Sequence, residues 1–261
     1  MISNDANVLF LSLFLGHILG DFFLQPDSWV KDKSDKKLKS NCLVLHALLH
    51  GLLSAAIFAF LFWGKLNHPV MAIMLVFGFV SVSHWIIDAI KIHLNRSYIW
   101  FVVDQVFHIS ILAILTYGVV HNHEMSVIIE NAKNLNYMVV LPIFIAYTLM
   151  LKPTAVLVGE VLYKWTEEVN SEDENGEEKV GLEDAGKYIG YIERILILTF
   201  VLTSQYSAIG FVLAAKSIFR MGDLKENGER KFTEYVMVGT LFSVTVALFC
   251  GLFLVHVLGI K

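Results

Sequence analysis

Apolar runs separated by polar stretches occupy roughly 8–24, 42–63, 70–91, 99–120, 137–163, 195–219 and 233–259. Each run is about 17–27 residues long, enough for a helix rising about 1.5 Å per residue to cross a bilayer core. Helices are expected because an open sheet cannot pair its backbone groups in lipid. The pattern therefore predicts an all-α fold, a polytopic transmembrane helical bundle of about seven membrane segments. Gly16 and Gly20 in the first and shortest run suit a helix that is tilted or pressed against a neighbour. The stretch Met1–Asp5 has no Lys or Arg, so the first run reads as a retained helix rather than a signal peptide.

The polar stretches set the orientation. Lys31, Lys33, Lys36, Lys37 and Lys39 fall between the first two runs and Lys91 and Arg96 between the third and fourth. The second and fourth connections hold only Lys65 and Lys133. The first four helices then run with the N-terminus outside and connections one and three cytoplasmic. If 195–219 simply crosses, then Lys216, Arg220, Lys225, Arg230 and Lys231 fall on the wrong side. A re-entrant segment broken near Thr203-Ser204-Gln205 would remove that conflict, and both readings stay open. The organisation expected is a four-helix membrane domain over 1–123 and C-terminal membrane helices over 124–261, with an acidic cytoplasmic loop near 164–187.

Composition agrees: 56% of the 261 residues are apolar, only 17% are charged, and the mean hydropathy is +0.62. A net charge of −4 gives no reason to expect a nucleic-acid partner. Cys42 and Cys250 are too few and too distant for a disulfide framework or a CxxC site and read as small core residues.

The chemistry lies in the first four runs. They contain four pairs spaced i and i+4: His17 and Asp21, His46 and His50, His84 and Asp88, Asp104 and His108. That spacing puts both members on one helix face, a turn apart. The pairs end runs one and three and begin runs two and four, so alternating helix directions bring all of them to the same level. An ionisable side chain inside a membrane helix costs about 2.5–3.5 kcal/mol on insertion scales. Five imidazoles and three carboxylates, with no Lys or Arg excess beside them in sequence, point to a divalent transition metal, one ion or two. Zinc comes first, with manganese, iron or nickel as alternatives. Asp21, Asp88 and Asp104 are also the candidate catalytic carboxylates. For any one pair, a His–Asp hydrogen bond between packed helices is an equally good account; shared depth favours the metal.

Gln25, Lys91, Gln105 and Arg194 are weaker candidates for substrate contact. Lys91 could equally snorkel to the interface, and Arg194 could tie one helix to another. His68, His93, His121 and His123 fall in polar connections and read as solvated.

The stretches Gly16-His17-Ile18-Leu19-Gly20-Asp21-Phe22-Phe23-Leu24-Gln25, His46-x-x-x-His50, Ser83-His84-Trp85-Ile86-Ile87-Asp88 and Asp104-Gln105-x-x-His108 resemble a bacterial inner-membrane domain-of-unknown-function family. Gly190–Arg194, Ala214–Ser217 and Glu234–Leu241 resemble the C-terminal region of its longer members. More loosely, the N-terminal half is similar to the LexA-regulated membrane-bound metal-dependent hydrolases, a resemblance that implies hydrolysis. The function expected is a metal-dependent hydrolase at the cytoplasmic face, acting on a phosphoester or other lipid-like, amphiphilic substrate. A transition-metal transporter and a non-catalytic protein with a structural metal site are the alternatives. Transport is disfavoured because every pair lies towards one end, not at the midplane. Self-association into a homo-oligomer stays open.

Overall fold

The computed structural model describes residues 4–122, 137–170, 185–221 and 230–259, and these are helical apart from short connections. The helices are α1 (Asn4–Ile18), α2 (Asp27–Lys36), α3 (Asn41–Phe62), α4 (Pro69–Lys91), α5 (Tyr98–Asn122), α6 (Tyr137–Leu149), α7 (Lys152–Asn170), α8 (Ala185–Leu202), α9 (Tyr206–Met221) and α10 (Arg230–Leu258). The chain divides into two compact units, Met1–Ile145 and Ala146–Lys261.

In the first unit α1, α3, α4 and α5 form a ring: α1 touches α3 and α5, α3 runs along α4, and α4 meets α5. Leu9, Leu13, Phe58, Phe62, Val76, Val80 and Leu112 fill its centre. Lipid tails are as apolar as these side chains, so close packing rather than escape from water holds the ring together. Glycines permit the closest approaches. A Cβ at Gly51 would stand 2.8 Å from the carbonyl oxygen of Phe77, and one at Gly16 2.7 Å from Ile57 Cδ1. The first membrane helix does not end as a regular α-helix. Leu19–Phe23 form a π turn, closed by Leu24 N–H donating to Leu19 O at 2.9 Å.

Residues 27–36 differ from the expected connection. They form α2, which starts after Pro26 with Asp27 in its first turn and ends with Lys33 and Lys36 in its last, matching charge to the helix dipole. Its Asp32 accepts a 2.5 Å hydrogen bond from Ser40 Oγ and pairs with Lys36. Ser40 also caps α3, its Oγ accepting from Leu43 N–H at 3.3 Å.

About seven spans are expected from the sequence, and the described residues hold five or six candidates. Among the described residues, five helical stretches are long and apolar enough to cross alone: Ala6–Phe23, Asn41–Phe62, Pro69–Lys91, Tyr98–Val119 and Thr233–Leu258. A sixth is α6 with α7, bent by 41° instead of continuous. Pro153 causes this break, since it has no N–H to donate and its ring crowds the preceding turn. Thr154 Oγ1 donates instead to Leu149 O at 2.6 Å. Arg194 of α8 takes the next two carbonyls, Nε donating to Met150 O at 2.6 Å and Nη2 to Leu151 O at 3.4 Å.

The run 195–219 is not one helix. It breaks at Thr203-Ser204-Gln205, where Ser204 adopts a left-handed φ of 57°. Gln205 N–H donates to Phe200 O and Ser204 N–H to Val201 O, the paired bonds of a Schellman termination. Neither α8 nor α9 is by length and composition a full span. Of the expected acidic loop, 164–170 belongs to α7 and 185–187 to α8, and 171–184 lie outside the described residues.

Candidate metal centre

All eight paired residues converge at one end of the ring. Asp21, carried on the π turn, is at the centre. Its Oδ1 lies 3.0 Å from His50 Nε2, 3.3 Å from His46 Nε2 and 3.7 Å from His84 Nε2, and its Oδ2 lies 3.5 Å from His17 Nε2. The imidazoles stack on each other, with ring centroids 3.8 Å apart for His50 and His84 and 4.1 Å for His84 and His108. His17, His46, His50, His84, Asp88, Asp104 and His108 are all buried.

Close approach here is not hydrogen bonding. The Nε2 atoms of His17, His50, His84 and His108 and Asp21 Oδ1 are buried, and none makes a hydrogen bond. Leaving such groups unsatisfied costs about 1–3 kcal/mol each, so this concentration calls for a common partner. A tetrahedral zinc site with Zn–N bonds of 2.0–2.1 Å has ligand atoms about 3.3 Å apart. The measured 3.0, 3.3 and 3.7 Å from Asp21 Oδ1 bracket that edge. The donor set therefore fits a divalent transition ion.

Among the described residues two groups of side chains could hold one: Asp21 with His46, His50 and His84, and His84 with Asp88 and His108. His84 belongs to both, and one ring nitrogen serves one ion. In the second group, His108 Nδ1–H donates to Asp104 O at 2.9 Å, which leaves its Nε2 lone pair facing the centre. Beside the imidazoles is a small cavity, lined by His17, His50, Ser54, Val80, Ser83, His84, His108, Ile111 and Leu112, with about 10 Å³ of room. That is about the space of a single water.

The expectation that the carboxylates lack cationic partners is corrected. Lys33 Nζ donates to Asp88 Oδ2 at 2.8 Å, and Lys91 Nζ to Asp104 Oδ2 at 2.5 Å. Lys33 comes from α2 and counted in sequence only as one of five lysines setting orientation. The dipole-matched charges of 27–36 signal the helix, but nothing local marks Lys33 within it.

A profile for the family described as "Protein of unknown function (DUF3307)" matches residues 9–136. The match spans just under half of the chain. All eight paired residues and both lysines lie within it. No curated protein and no solved structure matches the chain.

Within the matched residues the weaker candidates divide. Gln105 Nε2 donates to Asp21 Oδ2 at 3.0 Å and to Asp104 Oδ2 at 3.3 Å, tying two carboxylates together. Lys91 is held by Asp104, and the buried Nε2 of Gln25 makes no hydrogen bond. Ser54, one turn beyond His50, lines the cavity and was missed, although the i+4 spacing extends the His46–His50 face to it. His93 is exposed and donates to Ala89 O; the side chain of His121, and all of His123, lie outside the description. Arg194 belongs to the other unit. It is buried, and besides the two carbonyls it donates to Ser243 Oγ at 3.1 Å, which is the helix-to-helix tie. Its neighbour Glu193 pairs with Lys216 at 2.6 Å.

Proposed function

We propose that this chain is a metal-dependent hydrolase of a bacterial inner membrane, acting at the cytoplasmic face on a phosphoester or another lipid-like substrate. The observation that carries this is the set of four buried imidazole Nε2 atoms without hydrogen bonds, gathered with Asp21 beside a cavity the size of one water. A structural ion would be saturated by protein ligands, whereas a hydrolytic one keeps an open position for water.

In this reading three of Asp21, His46, His50 and His84 hold the ion, zinc first, and its fourth position is left to water. When bound, it would polarise the scissile phosphoryl or carbonyl oxygen and bring the pKa of a water close to 7. Asp88 is occupied by Lys33, and Asp104 Oδ2 by Lys91 and Gln105. Asp104 Oδ1 has no hydrogen-bond partner and is the carboxylate oxygen available to accept a proton. A site at one end of a membrane bundle suits an amphiphile whose chains remain in the bilayer.

The test is metal content of the purified protein, compared with His46→Ala/His50→Ala, followed by phosphatase and esterase assays on lipid substrates. The reading expects bound transition metal and metal-dependent hydrolysis, both lost in the variant while helicity is kept. A folded protein that takes up no zinc or manganese would overturn it, as would a loaded protein inert on every substrate class.

A further inference from the structure

Lys33 is an unusual residue for a polar helix. α2 reads Asp-Ser-Trp-Val-Lys-Asp-Lys-Ser-Asp-Lys, and Lys33 is its one buried residue, 9% exposed. Four other lysines stand within eight residues of it, at 31, 36, 37 and 39, and all four are exposed. The helix is therefore docked so that one ammonium group enters the site while the rest face outward. Docking is reinforced on both sides, by the Asp32–Ser40 hydrogen bond and by Lys37 Nζ donating to Ile92 O at 2.7 Å.

An ammonium group has three N–H donors. Among the described residues Asp88 is the one hydrogen-bond partner of Lys33, so two donors remain unused on a group nine-tenths buried. Burying an ammonium is costly unless its donors are met, and one carboxylate oxygen meets one of them. The same Asp88 oxygen lies 3.8 Å from His46 Nε2, which puts the ammonium at the edge of the Asp21–His46–His50–His84 group. Charge leads the same way. Three carboxylates, two ammonium groups and one divalent ion leave a single net positive charge, which an anion would neutralise.

We infer that Lys33 is the anion-binding residue of this site, placing a tetrahedral oxyanion of the phosphate class beside the metal group. The inference rests on the metal-site reading and narrows its substrate to a phosphoester. Lys33 also stands where a second cation would approach Asp88, so the site takes one metal ion and one ammonium group instead of two ions.

The test uses the full chain in detergent, loaded with zinc and titrated calorimetrically with inorganic phosphate and with short-chain phosphatidic acid. Zinc content is measured on every sample. Lys33→Met should weaken phosphate binding by about tenfold or more with zinc content unchanged, because a charge-assisted contact is lost. Lys33→Arg should stay within about threefold of the wild type, and exposed Lys31→Met should match it. Lys33→Met leaves Asp88 alone in a buried place, so Lys33→Met/Asp88→Asn is the second variant if the first fails to fold. It should show the same loss.

Wild-type phosphate affinity in either Lys33→Met variant would overturn the inference, as would a loss that merely follows a loss of zinc. If the wild type holds no zinc, the metal reading has failed separately. Phosphate titration of that metal-free protein then still decides on Lys33, a tenfold loss supporting it and none refuting it. Loss of both ligands in the variant assigns the subsite to the oxyanion alone. Loss of phosphatidic acid, where inorganic phosphate never bound, assigns it to a lipid headgroup.

Discussion

Gly20 lies directly against the imidazole of His50: a Cβ at Gly20 would stand 2.6 Å from Nε2. The π turn that carries Asp21 can approach α3 this closely only because the residue before Asp21 has no side chain. Gly20→Ala must push the ring or the turn away. Overpacking of this kind costs about 1–3 kcal/mol. The expected result is a lower thermal midpoint in detergent together with reduced metal content, whereas Gly64→Ala, with open space around it, should change neither.

Because His84 belongs to both ligand groups and His108 to one, the two histidines should behave differently. His84→Ala should abolish metal uptake. His108→Ala should leave the Asp21 group intact and retain one equivalent, measured by elemental analysis after dialysis. Equal losses would mean the two groups form one centre.

Lys91 and Asp104 form a pair in which the carboxylate is buried and the lysine side chain is 38% exposed. Removing one partner of a fully buried pair costs about 3–5 kcal/mol, and solvent reaching Lys91 lowers that figure here. Lys91→Met should therefore destabilise by about 1–2 kcal/mol, and Lys91→Met/Asp104→Asn should recover most of it. Denaturation monitored by circular dichroism would show whether the double variant is rescued.

Arg194→Met would leave the Met150 carbonyl without its donor, while Leu151 O keeps the Ala155 N–H. An unmet carbonyl costs about 1–3 kcal/mol, partly offset by no longer burying the guanidinium. A clear loss of stability is expected with metal content unchanged, since Arg194 and the His/Asp cluster lie in different units. A fall in bound metal would contradict this.

The Lys36 ammonium, and after it the Ser40 hydroxyl, hold the Asp32 carboxyl below its ordinary range. A carboxylate depressed in the folded state contributes stability above its unfolded pKa of about 3.9 and loses it as pH falls through the lower folded value. The seating of α2 should therefore loosen below about pH 4. A spin label at exposed Ser28 should become mobile in that range, and in Asp32→Ala it should be mobile at neutral pH.

The eight His and Asp positions were legible because a four-residue spacing is local, and because alternating helix directions follow from the order of the spans. Their shared depth needed no knowledge of packing. Lys33 was not legible as a site residue, since its partner Asp88 is 55 positions away and nothing local separates it from Lys31 or Lys36. The bend before α7 could have been read from Pro153. Arg194 as its remedy could not, since the carbonyls it meets lie more than forty residues earlier. Thr203-Ser204-Gln205 was readable as a break because three polar residues interrupt an apolar run. Whether that break ends a span is a matter of how much helix lies on either side.

The π turn at Leu19–Phe23 has a consequence for how this chain can change over time. Successive residues in a helix are turned by about 100°, so inserting or deleting one residue normally swings everything downstream to another face. Here the wide turn absorbs that phase shift at one point. Helix α1 before it is indexed to the bundle interior, and the turn itself with the chain that follows is indexed to Asp21 and the docking of α2. Shortening the turn by one residue would leave each half internally sound and spoil only their agreement, turning Asp21 and Lys33 away together. A lineage could repair such a lesion only by restoring the length of this turn, not by substitutions elsewhere.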